Sequence, residues 1–261
     1  MTELITMHTH STFCNHAKDP LGDMVQAAVD AGIAHMAATE HYPIPDELDP
    51  SKRSTMPAER LEAYIDAVRE QQKRDDIDVL LGCELDWLGK DETRALHASD
   101  FDRFDVVLGS IHFVDRWLMV SHKNMSRWKS VDLEAFWNRY VELWCEAAKS
   151  DMPFTVMAHA DVVKKFSPKP EFDLEPLYER MARAAREGGR MVEVNTSGAY
   201  AECAEYYPSP SLLQAFRAEG VACTVGTDAH CEEHIARDIE RAYDYMRAAG
   251  YTQLAVPTRG R

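Results

Sequence analysis

The chain has 261 residues, 45% of them hydrophobic, enough for one substantial core and a length that α/β barrels reach as a single domain. Its 29 Lys+Arg against 44 Asp+Glu give a formal charge of -15, which repels nucleic-acid phosphates and anionic membrane surfaces. That charge would also repel a phosphate ester unless bound cations invert the field locally.

Short apolar runs at 4–8, 35–39, 79–85, 106–111, 154–158, 191–195 and 222–226 predict seven buried strands. Longer amphipathic runs at 21–31, 58–74, 92–99, 133–150, 174–187, 210–219 and 236–248 predict the intervening helices. Gly32, Gly188, Gly189, Gly220 and Gly250 punctuate helix ends, where a left-handed residue stops the helix. The alternation is βαβα throughout, with no linker or repeat, so the expectation is one domain over 1–261. The start, MTELITMHTH, lacks a basic and then apolar leader, and no stretch approaches ~20 apolar residues, so a cytoplasmic protein is expected. Six scattered cysteines without CxxC spacing read as free thiols.

A potential ligand follows nearly every strand: His8 and His10 after the first, His41 after the second and Glu84 at the third. His112, His159, and Asp228 with His230 follow the fourth, fifth and seventh. Strand ends converge on one rim in a barrel, whereas an open sheet spreads them along a line. The expectation is therefore a distorted seven-stranded (β/α)7 TIM-like barrel with a metal site at its C-terminal face. His8 and His10, at spacing i, i+2, project from one side of an extended segment, and His16 can return to the rim through the next loop. Nine candidate ligands exceed what one tetrahedral ion uses, so two or three divalent ions are expected, with zinc, iron or manganese compatible. Glu84 and Asp228 suit bridging. His35 sits at the wrong end of a strand for catalysis, and His97 and His234 lie on helical stretches and read as surface or packing residues. His122 lies in a rim loop that also carries Arg116, so both are candidates for substrate contact.

The ordered set HTHST at 8–12, His16, TEH at 39–41, GCELD at 82–86, GSIHF at 109–113, AHADVVKKF at 158–166, EVNTSG at 193–198 and GTDAH at 226–230 resembles the PHP (polymerase and histidinol phosphatase) superfamily. More narrowly, AHADVVKKF and EVNTSG look like the loops of its histidinol-phosphate phosphatases. The resemblance implies a trinuclear centre: one ion on His8, His10, Glu84 and Asp228, a second on Glu84, His112 and His159, and a third on His16, His41 and His230. It implies a basic phosphate contact after the His-x-Asp motif, for which Lys164 and Lys165 are the candidates, and Asn195 of EVNTSG is counted with the substrate-binding residues.

The implied reaction is hydrolysis of a phosphate monoester, with L-histidinol phosphate the leading substrate and Glu84, Asp228 and His230 the catalytic candidates. Asp228 would orient the attacking water or hold its proton, and His230 is one candidate for protonating the leaving oxygen. Glu40 would orient an imidazole, and Asp86, Trp87, Asp115 or Trp117 could receive the histidinol moiety. Alternatives are a nucleotide or oligonucleotide phosphodiesterase on the same scaffold, or a non-catalytic metal-stabilised interaction module. A small phosphorylated substrate is the expected partner, with no nucleic acid and no membrane. Monomer and homodimer both remain open.

Overall fold

The computed structural model describes residues 3–96 and 101–257. Seven parallel strands form one sheet in chain order: β1 (Leu4–Thr6), β2 (Ile33–His41), β3 (Asp78–Asp86), β4 (Val106–Ser110), then β7 (Val156–Met157), β8 (Met191–Asn195) and β9 (Cys223–Gly226). Past the named strand ends β1 and β9 join: the Met7 N–H donates to the Val225 carbonyl at 2.8 Å and the His10 N–H to the Ala229 carbonyl at 2.8 Å. Lower down the seam opens. There the Ile5 N–H takes the Tyr243 hydroxyl, and the Ala255 N–H donates to the Cys223 carbonyl. The expected distorted barrel is thus closed at the C-terminal rim.

Seven helices cover the strands: α1 (Leu21–Asp30), α2 (Leu61–Gln71), α3 (Lys90–Ala95), α4 (Leu133–Lys149), α5 (Glu175–Gly188), α6 (Pro210–Ala218) and α7 (Ile239–Ala248). Part of the run expected to be helical at 92–99, including His97, lies outside the described residues. Gly32, Gly189, Gly220 and Gly250 have positive φ, as expected of helix stops, whereas Gly188 closes the last turn of α5. A Cβ at Gly188 would come within 1.9 Å of the Ala148 carbonyl oxygen, so close packing against α4 is what requires glycine there.

Strand periodicity sorts the side chains into two layers. Met36, Ala38, Val79, Leu81, Cys83, Leu85, Val192, Val194 and Val225 face the helices in one large core. Ile5, Met7, Ala37, Leu80, Val106, Leu108, Val156 and Ala158 fill the barrel interior. Continuing the inward set upward by twos leads from Leu80 through Gly82 to Glu84, from Ala37 through Thr39 to His41, and from Leu108 through Ser110 to His112. The apolar plug therefore gives way to ligating residues at the C-terminal ends of the same strand faces.

One element was not expected from the sequence. Phe113–Val114 (β5) and Trp117–Leu118 (β6) form an antiparallel hairpin whose loop is Asp115-Arg116, with φ 47 and 61. Positive φ at both central residues matches the turn that fits the natural twist of a two-residue hairpin.

Candidate metal centre

The nine ligand candidates meet at the C-terminal rim in overlapping sets. In the first, the Nε2 atoms of His8 and His10 are 3.1 Å apart. Glu84 Oε2 lies 3.4 Å from each of them, and Asp228 Oδ1 lies 3.7 and 3.3 Å away. Donors bound at ~2.0–2.1 Å around a tetrahedral ion stand about 3.3 Å apart, so these spacings fit one divalent ion. In the second set Glu84 Oε1 lies 3.4 Å from His112 Nε2 and 2.9 Å from His159 Nε2, themselves 3.2 Å apart. The two oxygens of one carboxylate thus face two different donor sets, the geometry of a bridge. His16, His41 and His230 make the third set, their ligand atoms all within 4.8 Å, with His16 and His230 Nε2 at 2.9 Å.

Backbone strain helps deliver two of these groups. His159 has φ 23 and Asp228 φ 51, conformations that side chains other than glycine rarely adopt. Each is pinned: the His159 N–H donates to Glu193 Oε1 at 2.9 Å, and the Asp228 N–H to the His8 carbonyl at 2.8 Å.

Buried carboxylates orient the imidazoles from behind. Glu193, fully buried on β8, accepts the His8 Nδ1–H at 2.9 Å and the Asn195 amide at 2.8 Å, besides the His159 N–H. Asp86 Oδ1 lies 3.0 Å from His112 Nδ1 and accepts the His112 N–H. Glu40 accepts the Ser11 N–H and hydroxyl and lies 3.8 Å from His10 Nδ1. The imidazole served by Glu40 is therefore that of His10 and not of its neighbour His41, because successive strand residues point to opposite faces. Glu193 was missed in the sequence although it opens the EVNTSG motif; a Glu at even spacing from Asn195 on an inward strand face was the available signal. Gly226 belongs with it: a Cβ there would come 2.3 Å from Glu193 Oε2 and 2.5 Å from the His8 Cβ.

Charge divides the cluster in two. Burial disfavours ionisation of Glu84, yet His41, His8, His112 and the His159 hydrogen bond hold its carboxyl well below the usual range. Asp228 is depressed in the same way against its burial, by His8, His10 and His230. Burial also opposes the charge on His10, but Asp228, Glu40 and Glu84 outweigh it and raise its pKa to about 9. Burial and neighbouring imidazoles lower His16 to about 4, and burial with His10 pushes His230 well below its ordinary value. The third set is therefore made of neutral imidazoles, the form that binds a metal.

A cavity of about 520 Å³ opens over this centre, and Asp228 and His230 form part of its wall with Ser197, Lys165, His122 and Arg237. Of the expected substrate contacts, Lys165 and His122 are at this cavity, the His122 ring against Phe166 at 4.6 Å. His234, expected as surface or packing, also lines it. Lys164 is elsewhere engaged: its ammonium pairs with Asp161 at 3.0 Å and Glu205 at 3.2 Å and donates to the Tyr206 carbonyl at 2.8 Å. Arg116 sits in the hairpin turn against Glu92 and Glu47 and is not among the cavity residues. Asn195 is spent within the protein, donating to Glu193 and accepting from the Ser197 N–H and hydroxyl.

His230 stands among the candidate ligands, and both of its ring nitrogens are engaged. Its Nδ1 faces the Asp228 carbonyl at 2.9 Å and its Nε2 faces His16. The side chains offered for histidinol are also occupied. Asp86 holds His112, Trp87 and Trp117 are buried packing residues, and Asp115 pairs with Arg139.

Residues 6–197 match the PHP domain family. A protein named probable histidinol-phosphatase from Deinococcus radiodurans is 31% identical over 233 residues, 88% of this chain and 87% of its own. One of the same name from Schizosaccharomyces pombe is 24% identical over 98% of this chain and 90% of its own. The crystal structure of histidinol phosphate phosphatase from Lactococcus lactis, complexed with zinc, L-histidinol and phosphate, superposes with a TM-score of 0.80 at 20% identity, covering 98% of this chain and 97% of that one, and so has the same fold. With the family match spanning most of the barrel, this chain belongs to the PHP domain family.

Proposed function

We propose that this protein is a metal-dependent phosphatase whose substrate is L-histidinol phosphate, hydrolysed to L-histidinol and phosphate by a single domain spanning 1–261. The observation that carries the reading is Glu84, whose buried Oε1 faces His112 and His159 and whose Oε2 faces His8, His10 and, at 2.9 Å, His41 Nδ1, beside a cavity whose lining includes Lys165 and Arg237. The curated relatives carry the substrate assignment. His8, His10, Glu84 and Asp228 would hold one ion, Glu84, His112 and His159 a second, and His16, His41 and His230 a third, with zinc, iron or manganese compatible with imidazole and carboxylate donors. When bound, such ions supply Lewis acidity at phosphate oxygens and lower the pKa of coordinated water.

The chain's own groups do the rest. Asp228 is held as an anion, with Oδ2 3.1 Å from the Ser197 hydroxyl oxygen, and is placed at the cavity wall to orient a water and take its proton. Lys165 lines the same cavity and supplies positive charge there to neutralise phosphate. Phe166, Tyr200 and Tyr207 offer aromatic surface, and Glu202 a carboxylate, to the imidazole and amine of histidinol. Among the described residues no helix is long and apolar enough to cross a membrane, and a cytoplasmic location fits the proposed role. The test is phosphate release from L-histidinol phosphate with and without prior chelation, using Glu84→Ala as control. Release that metal restores and the variant lacks is expected. No release by metal-loaded protein would send the search to other phosphate esters.

A further inference from the structure

Arg237, between the short helical turn Glu232–His234 and α7, is a cation that the metal centre does not use. It lines the same cavity as Asp228 and His230. Its guanidinium carbon lies 3.8 Å from the centre of the Tyr200 ring, and its Nε is buried without a hydrogen-bond partner. The nearest acid in sequence, Asp238, is already taken: it accepts the Tyr200 hydroxyl at 2.9 Å and pairs with Arg241 at 3.3 Å. Among the described residues no carboxylate lies within ion-pair distance of Arg237. The backbone is fixed as well, since the Thr196 hydroxyl donates to the Arg237 carbonyl at 2.9 Å.

A chain of net charge -15 that keeps a guanidinium unpaired, stacked on a ring and set beside proposed metal ligands has left it available to an anion. Guanidinium presents several donors in one plane and binds phosphate oxygens in pairs, while the ring beneath it limits its motion. Lys165 faces the cavity from the loop after β7 and is likewise without a carboxylate within ion-pair distance among the described residues. We propose that Arg237, braced by Tyr200, is a phosphate-binding residue that grips the substrate's phosphoryl group together with Lys165. This rests on the phosphatase reading.

The test uses full-length, metal-loaded wild type, Arg237→Ala, Arg237→Lys and Arg237→Gln, with Arg241→Ala as a neighbouring control. Three quantities are read: KM and kcat for L-histidinol phosphate, the inhibition constant of inorganic phosphate, and bound metal. Loss of charge-assisted hydrogen bonds should raise KM and the phosphate inhibition constant roughly ten- to a hundredfold in Arg237→Ala, at unchanged metal content. Arg237→Lys should recover only part of the loss, added guanidinium should partly rescue Arg237→Ala, and Arg241→Ala should behave as wild type. A wild-type phosphate inhibition constant in Arg237→Ala, or in Arg237→Gln if the alanine variant does not fold, overturns the proposal. If wild type releases no phosphate from L-histidinol phosphate, the phosphatase reading fails. Calorimetric binding of inorganic phosphate to wild type and variant then still decides whether Arg237 holds the anion.

Discussion

Glu193→Gln isolates the effect of one buried charge behind the metal centre. The glutamate accepts three hydrogen bonds on Oε1, from His8 Nδ1 at 2.9 Å, the His159 N–H at 2.9 Å and Asn195 at 2.8 Å, while Oε2 is buried without a partner. Glutamine has nearly the same volume and can keep the three bonds with its amide oxygen. Two things change: His8 loses an anionic acceptor that raises its basicity, and an NH2 group is buried in place of Oε2. Outer carboxylates behind ligating histidines are worth about 10–100-fold in metal affinity, which corresponds to roughly 1.4–2.7 kcal/mol. The loss should be selective. His8 belongs to the first donor set and His159 to the second, whereas Glu193 makes no hydrogen bond to His16, His41 or His230. Titration against a competing chelator, with metal counted per chain, should show two weakened sites and one retained site in a protein with wild-type circular dichroism. Wild-type affinity at every site, or equal loss at all three, would refute the reasoning.

The adjacent lysines should separate cleanly. Lys164→Met strands Asp161, which is buried and contacts the Lys164 ammonium at 3.0 Å, so it should cost about 3–5 kcal/mol of stability by denaturant titration with little change in KM. Lys165→Ala should do the reverse, raising KM several-fold at near wild-type stability. For pH, the chelated protein is the informative form. His10 is raised to about 9 against an ordinary 6.5, so its contribution, on the order of 3 kcal/mol, is present below pH 6.5 and lost as pH rises through 9. Glu84 and Asp228 are depressed, so theirs is present above the ordinary carboxylate range and lost as pH falls through their lowered values. The melting temperature of chelated protein should therefore fall between pH 6.5 and 9; a flat profile there would count against the charged His10.

The sequence alone determined the βαβα order, the seven strands and the rim positions of the candidate ligands, because burial on both strand faces leaves continuous apolar runs and a polar residue just beyond such a run must stand on the rim. It also marked His8, His10, Glu84 and Asp228 as neighbours in chemistry. Only the tertiary structure decided what each polar group faces. Lys164 and Lys165 are adjacent letters of one motif, yet one is consumed by Asp161 and Glu205 and the other reaches the cavity. Even spacing from Asn195 marks the face Glu193 occupies but not its partner, and Arg237 gave no local signal, since those partners, His8 and Tyr200, lie 185 and 37 positions away in the chain. Periodicity reports which face of an element a residue occupies. What lies opposite that face is set by how distant strands and loops close on one another, and that closure fixed both the carboxylates behind the imidazoles and the cations over the cavity.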